Sequence, residues 1–309
     1  MGQLEDMALF VRIVDAGGIG KAAEQLNLAK SAVSRRLNEL ENRLSTQLLV
    51  RTTRKSSLTD AGISFYQMAI NILDDVDAMN TQISGAEATL TGTLKVTVPL
   101  SFGLLHLNDV FDAFHRLHPQ LAMQVDFSDR RADLIEEGFE LGIRIAHLKD
   151  SSLRARRITT IRHVLCASPS YLEQNGEPRD ITQLVDHDYL EYGLLNPGPI
   201  KLFDKGGQLH NINLNTKIKA NNGDFLKDMA IRGHGVTFLP TFLVYRSILA
   251  GQLKPVCTQY RFPEIHAYAV YPQTRFLSLR VRKLIDFVAD TFGEEPYWDE
   301  MIQSRSCCP

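Results

Sequence analysis

The residues best suited to a defined chemistry form a basic stretch near the start of the chain. Between Gly20 and Leu58, eight basic side chains accompany three acidic ones, a net charge of +5, whereas the whole chain of 309 residues carries −2. A basic segment in a nearly neutral chain predicts a polyanionic partner for that segment alone. The basic residues are Lys21, Lys30, Arg35, Arg36, Arg43, Arg51, Arg54 and Lys55.

Two short helices are needed to position these basic side chains. Apolar residues recur at helical spacing in two stretches, which are separated by a break of turn length at 27–29. This arrangement indicates a helix-turn-helix, whose second helix can enter the major groove of DNA. The apolar residues are Ala22, Ala23 and Leu26, then Ala32, Val33, Leu37, Leu40 and Leu44.

The second helix carries four polar side chains along one face of its N-terminal half, where they can reach base edges and phosphates. Arg36 lies about 100° further round the helix, and we expect it to contact the DNA backbone or Glu39. The alternative is an ordinary solvated, charged helix face. The four residues are Lys30, Ser31, Ser34 and Arg35.

The same segment carries a longer series of residues in one register. They are Phe10, Gly17-Gly18, Ala22-Ala23-x-x-Leu26, Ala32-Val33-Ser34-Arg35, Leu40-Glu41, Gln47-Leu48, Arg51-Thr52 and Leu58-Thr59-x-Ala61-Gly62. In these positions the segment resembles the winged helix-turn-helix of LysR-type transcriptional regulators, and a looser resemblance extends to about residue 291. It implies a DNA-binding wing, with phosphate or minor-groove contacts, at Arg51, Thr52, Thr53, Arg54 and Lys55.

Four positions depart from the family pattern. Ala29 stands where a Ser usually caps the recognition helix, a loss of about 1 kcal/mol. Lys30-Ser31 replaces a common Gln-Pro or Pro-Ser pair, and Leu49 replaces a common Phe. The base preference of a relative therefore cannot be transferred to this chain.

A glycine motif in the same segment also fits a dinucleotide-binding loop. Residues 18–23 match G-x-G-x-x-A and follow the apolar run 8–14. However, Leu9, Phe10 and Ile13 recur as on a helix, and glycine after an apolar helix is an ordinary helix end. We therefore expect no cofactor.

A long helical pattern follows the basic segment. Apolar residues between 61 and 83 alternate spacings of four and three, as in the seam of a coiled coil. We favour dimerisation through this seam, which is also the use that the family makes of its linker helix, with a dimer of dimers as the full assembly. The alternative is packing on the helix's own domain. The seam residues are Ala61, Phe65, Met68, Ile72, Val76, Met79 and Ile83.

The remainder of the chain repeats strand-helix-strand units, which indicate parallel sheets covered by helices. With the resemblance, this predicts an α+β multidomain chain: an all-α winged helix-turn-helix (1–60), a linker helix and hinge (61–91), and a two-lobed, periplasmic-binding-protein-like α/β domain (92–296). Lobe 1 is expected at about 92–162 and 268–292, lobe 2 at about 163–267, and a tail at 297–309. A helix is also expected at 132–138.

The loop after the first strand of this domain, 99–103, offers a hydroxyl and free N–H groups to an anion. Family resemblance places a small-molecule effector here, and ligands of open α/β sheets bind beyond the carboxyl ends of strands. The alternative interpretation of Ser101 is a plain helix cap. For Arg144, the two alternatives are pairing with a ligand carboxylate and pairing with an acid of its own lobe. The candidates are Ser101, Phe102, Arg144, Ala146, Tyr192, Gly193, Asn221, Asn222 and Asp224.

Composition narrows the functional classes. Hydrophobic residues make up 44% and charged residues 23% of the chain, typical of a globular protein. No apolar run is long enough for a membrane span, and the N-terminus lacks a secretion signal, so we expect a cytoplasmic protein without a membrane partner. The four cysteines lack the spacing of a zinc site, and His115 and His118 have no third metal ligand nearby.

The leading interpretation is a DNA-binding transcription factor that responds to a small, anionic molecule. The alternative is an α/β enzyme acting on a metabolite in the same cleft, although no Ser/His/Asp triad or carboxylate pair stands out. A solute-binding protein is a third, disfavoured by the attached DNA-binding segment. Redox sensing through Cys166 and Cys257 does not match the cysteine arrangement of those relatives that sense oxidants.

Overall fold

The computed structural model describes residues 2–51, 56–84, 89–146, 153–193, 199–273 and 277–306. It divides into two units, Met1–Leu90 with Thr274–Arg282, and Thr91–Gln273 with Lys283–Pro309. No helix in these ranges is both long and apolar enough to cross a membrane.

The first unit begins with the predicted helix-turn-helix. Asn27 makes the turn with a φ of 52°. Ala29 occupies the N-cap position of the next helix, where it makes no side-chain capping hydrogen bond. The expectation of an all-α module was wrong in one respect, since β1 and β2 pair as an antiparallel hairpin. The elements are α1 (Gln3–Asp15), α2 (Ile19–Gln25), α3 (Lys30–Leu44), β1 (Leu49–Arg51), β2 (Ser56–Leu58) and α4 (Asp60–Ser84).

The predicted apolar stripes form the core of this module, in which Phe10 and Val33 are fully buried. The start of α4 joins the same core. The Phe65 ring lies 5.3 Å from that of Phe10, and the Tyr66 hydroxyl donates to Asp15 over 2.5 Å. Part of the predicted seam therefore packs within its own domain, which was the alternative interpretation.

Three backbone contacts hold the hairpin against the helices. The Glu41 carboxylate accepts the amides of Leu48 and Leu49 at 2.8 and 3.0 Å. The Thr59 hydroxyl donates to the Gln47 carbonyl at 2.7 Å. Gly62 lies so close to Leu48 that a Cβ atom would stand 2.0 Å from its carbonyl oxygen. Only glycine fits at this crossing of α4 over the hairpin.

The second unit contains two mixed sheets. The first, in the order β4-β3-β5-β14-β6, forms lobe 1; β3 runs parallel to β4 and β5, and β14 is antiparallel to β5 and β6. Residues 134–138 form turns, so the helix predicted at 132–138 was wrong. The Asp133 carboxylate accepts the amides of Ile135 and Glu136 and closes a turn instead. The elements before the first crossing are β3 (Gly92–Val98), α5 (Leu100–Phe102), a π-helix (Gly103–Leu107), α6 (Asn108–Leu117), β4 (Leu121–Phe127), β5 (Leu141–Ala146) and β6 (Leu153–Ile161).

Lobe 2 is built on the second sheet, in the order β11-β8-β12-β7-β13. Strand β8 is parallel to β11 and β12, whereas β7 is antiparallel to β12 and β13. Its elements are β7 (His163–Ala167), α7 (Pro169–Asn175), a 3-10 helix (Gln183–Asp186), β8 (Asp188–Tyr192), β9 (Ile200–Phe203), β10 (Leu209–Ile212), β11 (Asn215–Ala220), α8 (Gly223–Ile231), β12 (Val236–Pro240), α9 (Thr241–Leu249) and β13 (Lys254–Pro255).

The chain crosses from lobe 1 to lobe 2 at Arg162 and returns just before β14 (Ile265–Pro272). His266 and Ala267, which we assigned to lobe 2, pair with β5 in lobe 1. After α10 (Leu279–Phe292), residues 297–306 form helix α11 instead of the predicted tail. The reason is apolar burial, because the Trp298 side chain is fully enclosed.

Gly62→Ala should destabilise the first unit by several kcal/mol, because the new methyl group cannot share space with a backbone carbonyl. Thermal unfolding followed by circular dichroism measures this change. The matched control is Gly20→Ala in α2, where no atom lies within 4 Å of the added Cβ. That variant should gain up to about 1 kcal/mol from helix propensity. Equal stability of the two variants would contradict the close crossing.

Candidate functional site

The outer face of α3 carries most of the residues predicted to read DNA. Lys30, Ser31 and Arg35 are exposed, and Ser34 is half-buried beside them. Arg35 forms an ion pair with Glu39 at 3.7 Å, one helical turn away, with 76% of the arginine side chain exposed. Such exposed pairs are worth only about 0.2–1 kcal/mol, so this guanidinium is available to another partner.

Two other basic residues of α3 face α1 instead. Asp6 pairs with Arg36 at 3.4 Å and with Arg43 at 3.0 Å, and Glu5 lies 3.9 Å from Arg36. The Arg36 side chain is 16% exposed. The packing of α1 on α3 brings these acids to Arg36 from 30 residues away. The predicted contact of Arg36 with DNA stays a prediction.

The predicted wing is described only at its edge. The backbone of Arg51 pairs with Ser56 in the hairpin. Thr52, Thr53, Arg54 and Lys55 lie outside the described residues, so their predicted DNA contacts stay predictions.

In the second unit, the predicted effector residue Ser101 joins the two lobes. Its hydroxyl donates to the Asp224 carboxylate at 2.6 Å, from α5 of lobe 1 to α8 of lobe 2. Lys227 donates to the other oxygen of Asp224 at 2.7 Å. The plain helix-cap interpretation of Ser101 does not apply, since no side chain caps α5.

A second hydrogen bond joins the lobes in the opposite sense. Asp129 of lobe 1 accepts the Tyr192 hydroxyl from lobe 2 and the Leu100 amide, the latter at 3.0 Å. Each lobe thus contributes one hydroxyl and one carboxylate, and each hydroxyl donates to the carboxylate of the other lobe. We call these two bonds the interlobe pair.

Asp129 was not among the site residues predicted from the sequence. Its position in the sequence could have predicted it, since Asp129 lies two residues beyond the end of β4, at the carboxyl edge of the sheet next to β3. The rule that selected Ser101 applies equally to this edge.

The charges of this site follow from burial and hydrogen bonding. Burial raises the pKa of Asp129, with a further contribution from the charge of Asp224, although Leu100 and Tyr192 oppose the rise. Burial also acts to raise the pKa of Asp224, but the hydrogen bonds from Lys227 and Ser101 outweigh it and hold that pKa below its usual value. Burial, with Asp129, raises the pKa of Tyr192, so this hydroxyl keeps its proton and donates.

Two predicted effector residues are placed elsewhere. Phe102 is fully buried among aromatic rings, including those of His106 and Phe242, and does not line the cleft. The Arg144 guanidinium donates to the Ala132 carbonyl of its own lobe. Burial, together with the nearby charge of Arg131, lowers the pKa of Arg144. The charge of Asp133, an acid of the same lobe, opposes that change. The predicted contact of Arg144 with a ligand carboxylate stays a prediction.

The other predicted lining residues lie at strand ends. Ala146 is the last residue of β5 and is half-buried, whereas Asn221 follows β11 and is exposed. Asn222 caps α8, because its side chain accepts the Phe225 amide at 2.8 Å. The Gly193 amide donates to the Ala220 carbonyl at 2.7 Å.

The remaining titratable candidates offer little reactivity. Burial raises the pKa of the Cys166 thiol to about 12 and of the Cys257 thiol to about 11, so few thiolates are present at neutral pH. Within the described ranges no group of His, Cys, Asp and Glu is arranged to hold a metal ion. Cys307 and Cys308 lie outside those ranges.

Comparison with known families matches both units. Residues 4–63 match the model described as "Bacterial regulatory helix-turn-helix protein, lysR family". Residues 87–293 match the model described as "LysR substrate binding domain". The second match alone covers more than half of the chain.

Individual relatives align along nearly the whole chain. The transcriptional regulator CrgA of Neisseria meningitidis is 32% identical, with 94% of this chain and 97% of CrgA covered. PtxR of Pseudomonas aeruginosa is 30% identical, with 95% and 94% covered. The structure of CrgA superposes with a TM-score of 0.61 at 30% identity over 94% and 99% of the two chains. The Vibrio cholerae virulence activator AphB superposes with a TM-score of 0.58 at 25% identity over 94% and 99%.

Proposed function

This chain belongs to the LysR family of DNA-binding transcriptional regulators, and we propose that it reads an operator with the outer face of α3 and responds to a small molecule held between its two lobes. It is a regulator and not an enzyme, so the alternative of catalysis in the cleft is set aside. The observation that carries the proposal is the division of α3 into an ion-paired inner face and an exposed, basic outer face.

The distribution of partners on α3 assigns the DNA-contacting residues. Lys30, Ser31, Ser34 and Arg35 are proposed to face the major groove, where arginine recognises guanine through two hydrogen bonds. Arg36 is withdrawn from this set, since moving it to DNA would break its contact with the largely buried Asp6. The wing, from Arg51 to Lys55, is proposed to add phosphate or minor-groove contacts, which position the protein without reading sequence.

Arg35→Ala should weaken binding to the specific operator about tenfold to hundredfold, because a bidentate contact to a base contributes about 1–3 kcal/mol. Binding to random DNA should weaken much less. Fluorescence anisotropy with both DNAs at fixed salt measures the two affinities. The control is Arg116→Ala, which breaks an exposed ion pair of the same i,i+4 spacing, 2.9 Å to Asp112 on α6, and should change neither affinity. Equal losses on both DNAs with Arg35→Ala would exclude a base-reading role.

Self-association through α4 is the second part of the proposal. The apolar residues Met68, Ile72 and Met79 are 63%, 39% and 53% exposed, at spacings of four and seven residues. Exposed apolar side chains at heptad spacing are suited to a coiled-coil partner. The proposed unit is a dimer joined along α4, and two such dimers form the tetramer that presents four copies of α3.

The double substitution Ile72→Asp and Met79→Glu should reduce the assembly by one step, from dimer to monomer or from tetramer to dimer, because paired carboxylates in the seam repel. Mass photometry of the full chain gives the assembly size. Val185→Asp, at a 46% exposed apolar residue of lobe 2, is the control and should leave the mass unchanged. An unchanged mass in the double variant would place the interface elsewhere.

The effector is proposed to bind between the lobes by replacing the interlobe pair. A ligand can shift the lobes only if it binds one arrangement more tightly than the other. The Asp129 and Asp224 carboxylates would accept hydrogen bonds from the ligand, and the Ser101 and Tyr192 hydroxyls would be released to its acceptors. The proposed effector is thus a small polar molecule with both donors and acceptors.

The charge of the site modifies the expectation of an anionic effector. That expectation rested on the hydroxyl and N–H groups of the loop 99–103 and on Arg144. Ser101 and the Leu100 amide already donate to carboxylates, and the Arg144 guanidinium is bound to a backbone carbonyl. Lys227 is the cation at the interlobe pair, and it is already paired with one of two carboxylates. A simple anion therefore gains less here than a neutral or cationic donor.

Asp224→Asn and Asp129→Asn should each weaken effector binding about tenfold to hundredfold, since a hydrogen bond to a charged group contributes about 1.5–3 kcal/mol. Metabolites that raise the melting temperature of the wild-type protein serve as probes, and calorimetry compares their affinities. The control is Asp126→Asn, because this carboxylate accepts the Thr97 hydroxyl of its own lobe, at 3.3 Å. Undiminished binding to both cleft variants would place the effector elsewhere.

A further inference from the structure

Helix α11 (Tyr297–Ser306) begins four residues after the segment matched by the family model ends, at residue 293. It nevertheless belongs to the core of the second unit. Trp298 is fully buried, and Asp299 is 3% exposed. A helix that buries its largest side chain and a carboxylate is a packed part of the fold.

The Trp298 ring contacts both lobes. Its centroid lies 4.5 Å from that of His106 and 6.0 Å from that of Phe102, both in lobe 1. It lies 6.2 Å from the ring of Phe242, on α9 of lobe 2. One aromatic side chain of α11 thus packs against elements of the two lobes at once.

His106 adds a hydrogen-bonded link between the same three elements. Its ring nitrogens lie 2.7 Å from the Tyr297 hydroxyl of α11 and 3.1 Å from the Phe242 carbonyl of lobe 2. Burial lowers the pKa of His106 to about 4, so the ring is neutral at pH 7. Because a carbonyl can only accept, Nε2 donates to Phe242 and Nδ1 accepts from Tyr297.

The residues around Arg162 connect α11 to both crossings between the lobes. Arg162 is the single residue between β6 and β7, and its carbonyl accepts the Thr241 amide at 2.8 Å. Its guanidinium pairs with Glu264 at the return crossing at 3.3 Å, with Glu295 at 2.8 Å, and with Asp299 at 2.9 Å. These partners raise the pKa of Arg162, and the largest contribution comes from the hydrogen bond to Glu295.

We propose that α11 is a clamp that holds the two lobes in one relative arrangement through the Trp298 aromatic cluster and the Arg162 ion pairs. The lobes can rotate only about the two crossings. Such a rotation separates lobe 1 from lobe 2 at α9, and α11 cannot follow both. It must therefore release one set of contacts, and the free energy of its docking opposes the opening of the cleft.

Two features keep the clamp reversible. The Trp298 indole N–H is buried without a hydrogen-bond partner among the described residues, and an unsatisfied buried donor opposes docking. Glu264 and Glu295 are 52% and 58% exposed, so water competes for their pairs with Arg162. The clamp does not depend on the chemistry of the effector.

Trp298 provides a direct measurement, because it is the only tryptophan of the chain. In the full-length protein, acrylamide quenching of its fluorescence reports whether α11 is docked. Hydrogen exchange of the peptides that contain Leu100 and Phe225 reports whether the cleft is open. The test variant is Arg162→Gln. The matched control is Arg156→Gln, in which the lost ion pair, to Asp286, joins β6 to α10 within lobe 1.

Arg162→Gln should raise the quenching constant of Trp298 at least threefold and speed exchange of the cleft peptides, whereas Arg156→Gln should leave both as in the wild type. Increased quenching with unchanged exchange of the cleft peptides would overturn the proposal, since α11 would then pack on the lobes without restraining their movement. An unchanged quenching constant in a folded Arg162→Gln would overturn it as well. If Arg162→Gln fails to fold, the nearly isosteric Asp299→Asn decides by the same two readouts.

Discussion

Helix α3 must bury one face in order to present the other, and the rest of the DNA-binding module depends on that constraint. Val33, Leu37 and Leu40 supply the buried stripe. The carboxylate of Asp6 then fixes the rotation of α3 against α1 by pairing with Arg36 and Arg43. A pair that is mostly shielded from water resists screening better than an exposed one. The basic residues of one helix are consequently divided between a structural role and an exposed surface that is free to meet DNA.

The two-lobed unit follows the same principle, in that a side chain held by an internal partner is not available to a ligand without a cost. Ser101 and Tyr192 are already donors to carboxylates across the cleft, and Arg144 is bound within its own lobe. A ligand that enters must supply interactions at least equal to those it breaks. This requirement favours effectors that exchange hydrogen bonds with the site over those that only add charge. The same hydrogen bonds give the regulator a defined arrangement of its lobes in the absence of a ligand.

Local patterns made the helix-turn-helix, the linker helix and the alternation of strands and helices predictable, because periodicity and turn residues act within a few positions. Partners across the fold were not predictable in this way. Arg36 meets Asp6, and Ser101 meets Asp224, only because distant elements pack together. Ser101 and Phe102 are adjacent in one loop, yet one faces the other lobe and the other fills the core, since a single residue step turns a helix by about 100°. The lone tryptophan could have predicted that the segment of α11 is buried. That segment was instead predicted to be a tail because of its place in the sequence.

We propose that α3 reads a particular DNA sequence and that the lobes control how it is presented. Selection of bound fragments from genomic DNA by the full-length protein, followed by sequencing, tests this proposal. We expect enrichment of fragments that share a two-half-site motif, with the half-sites spaced by about one helical turn or a multiple of it. We also expect that enrichment to be lost with Arg35→Ala. Uniform, salt-sensitive recovery of all fragments without a shared motif would contradict it, because the basic face of α3 would then bind phosphates alone.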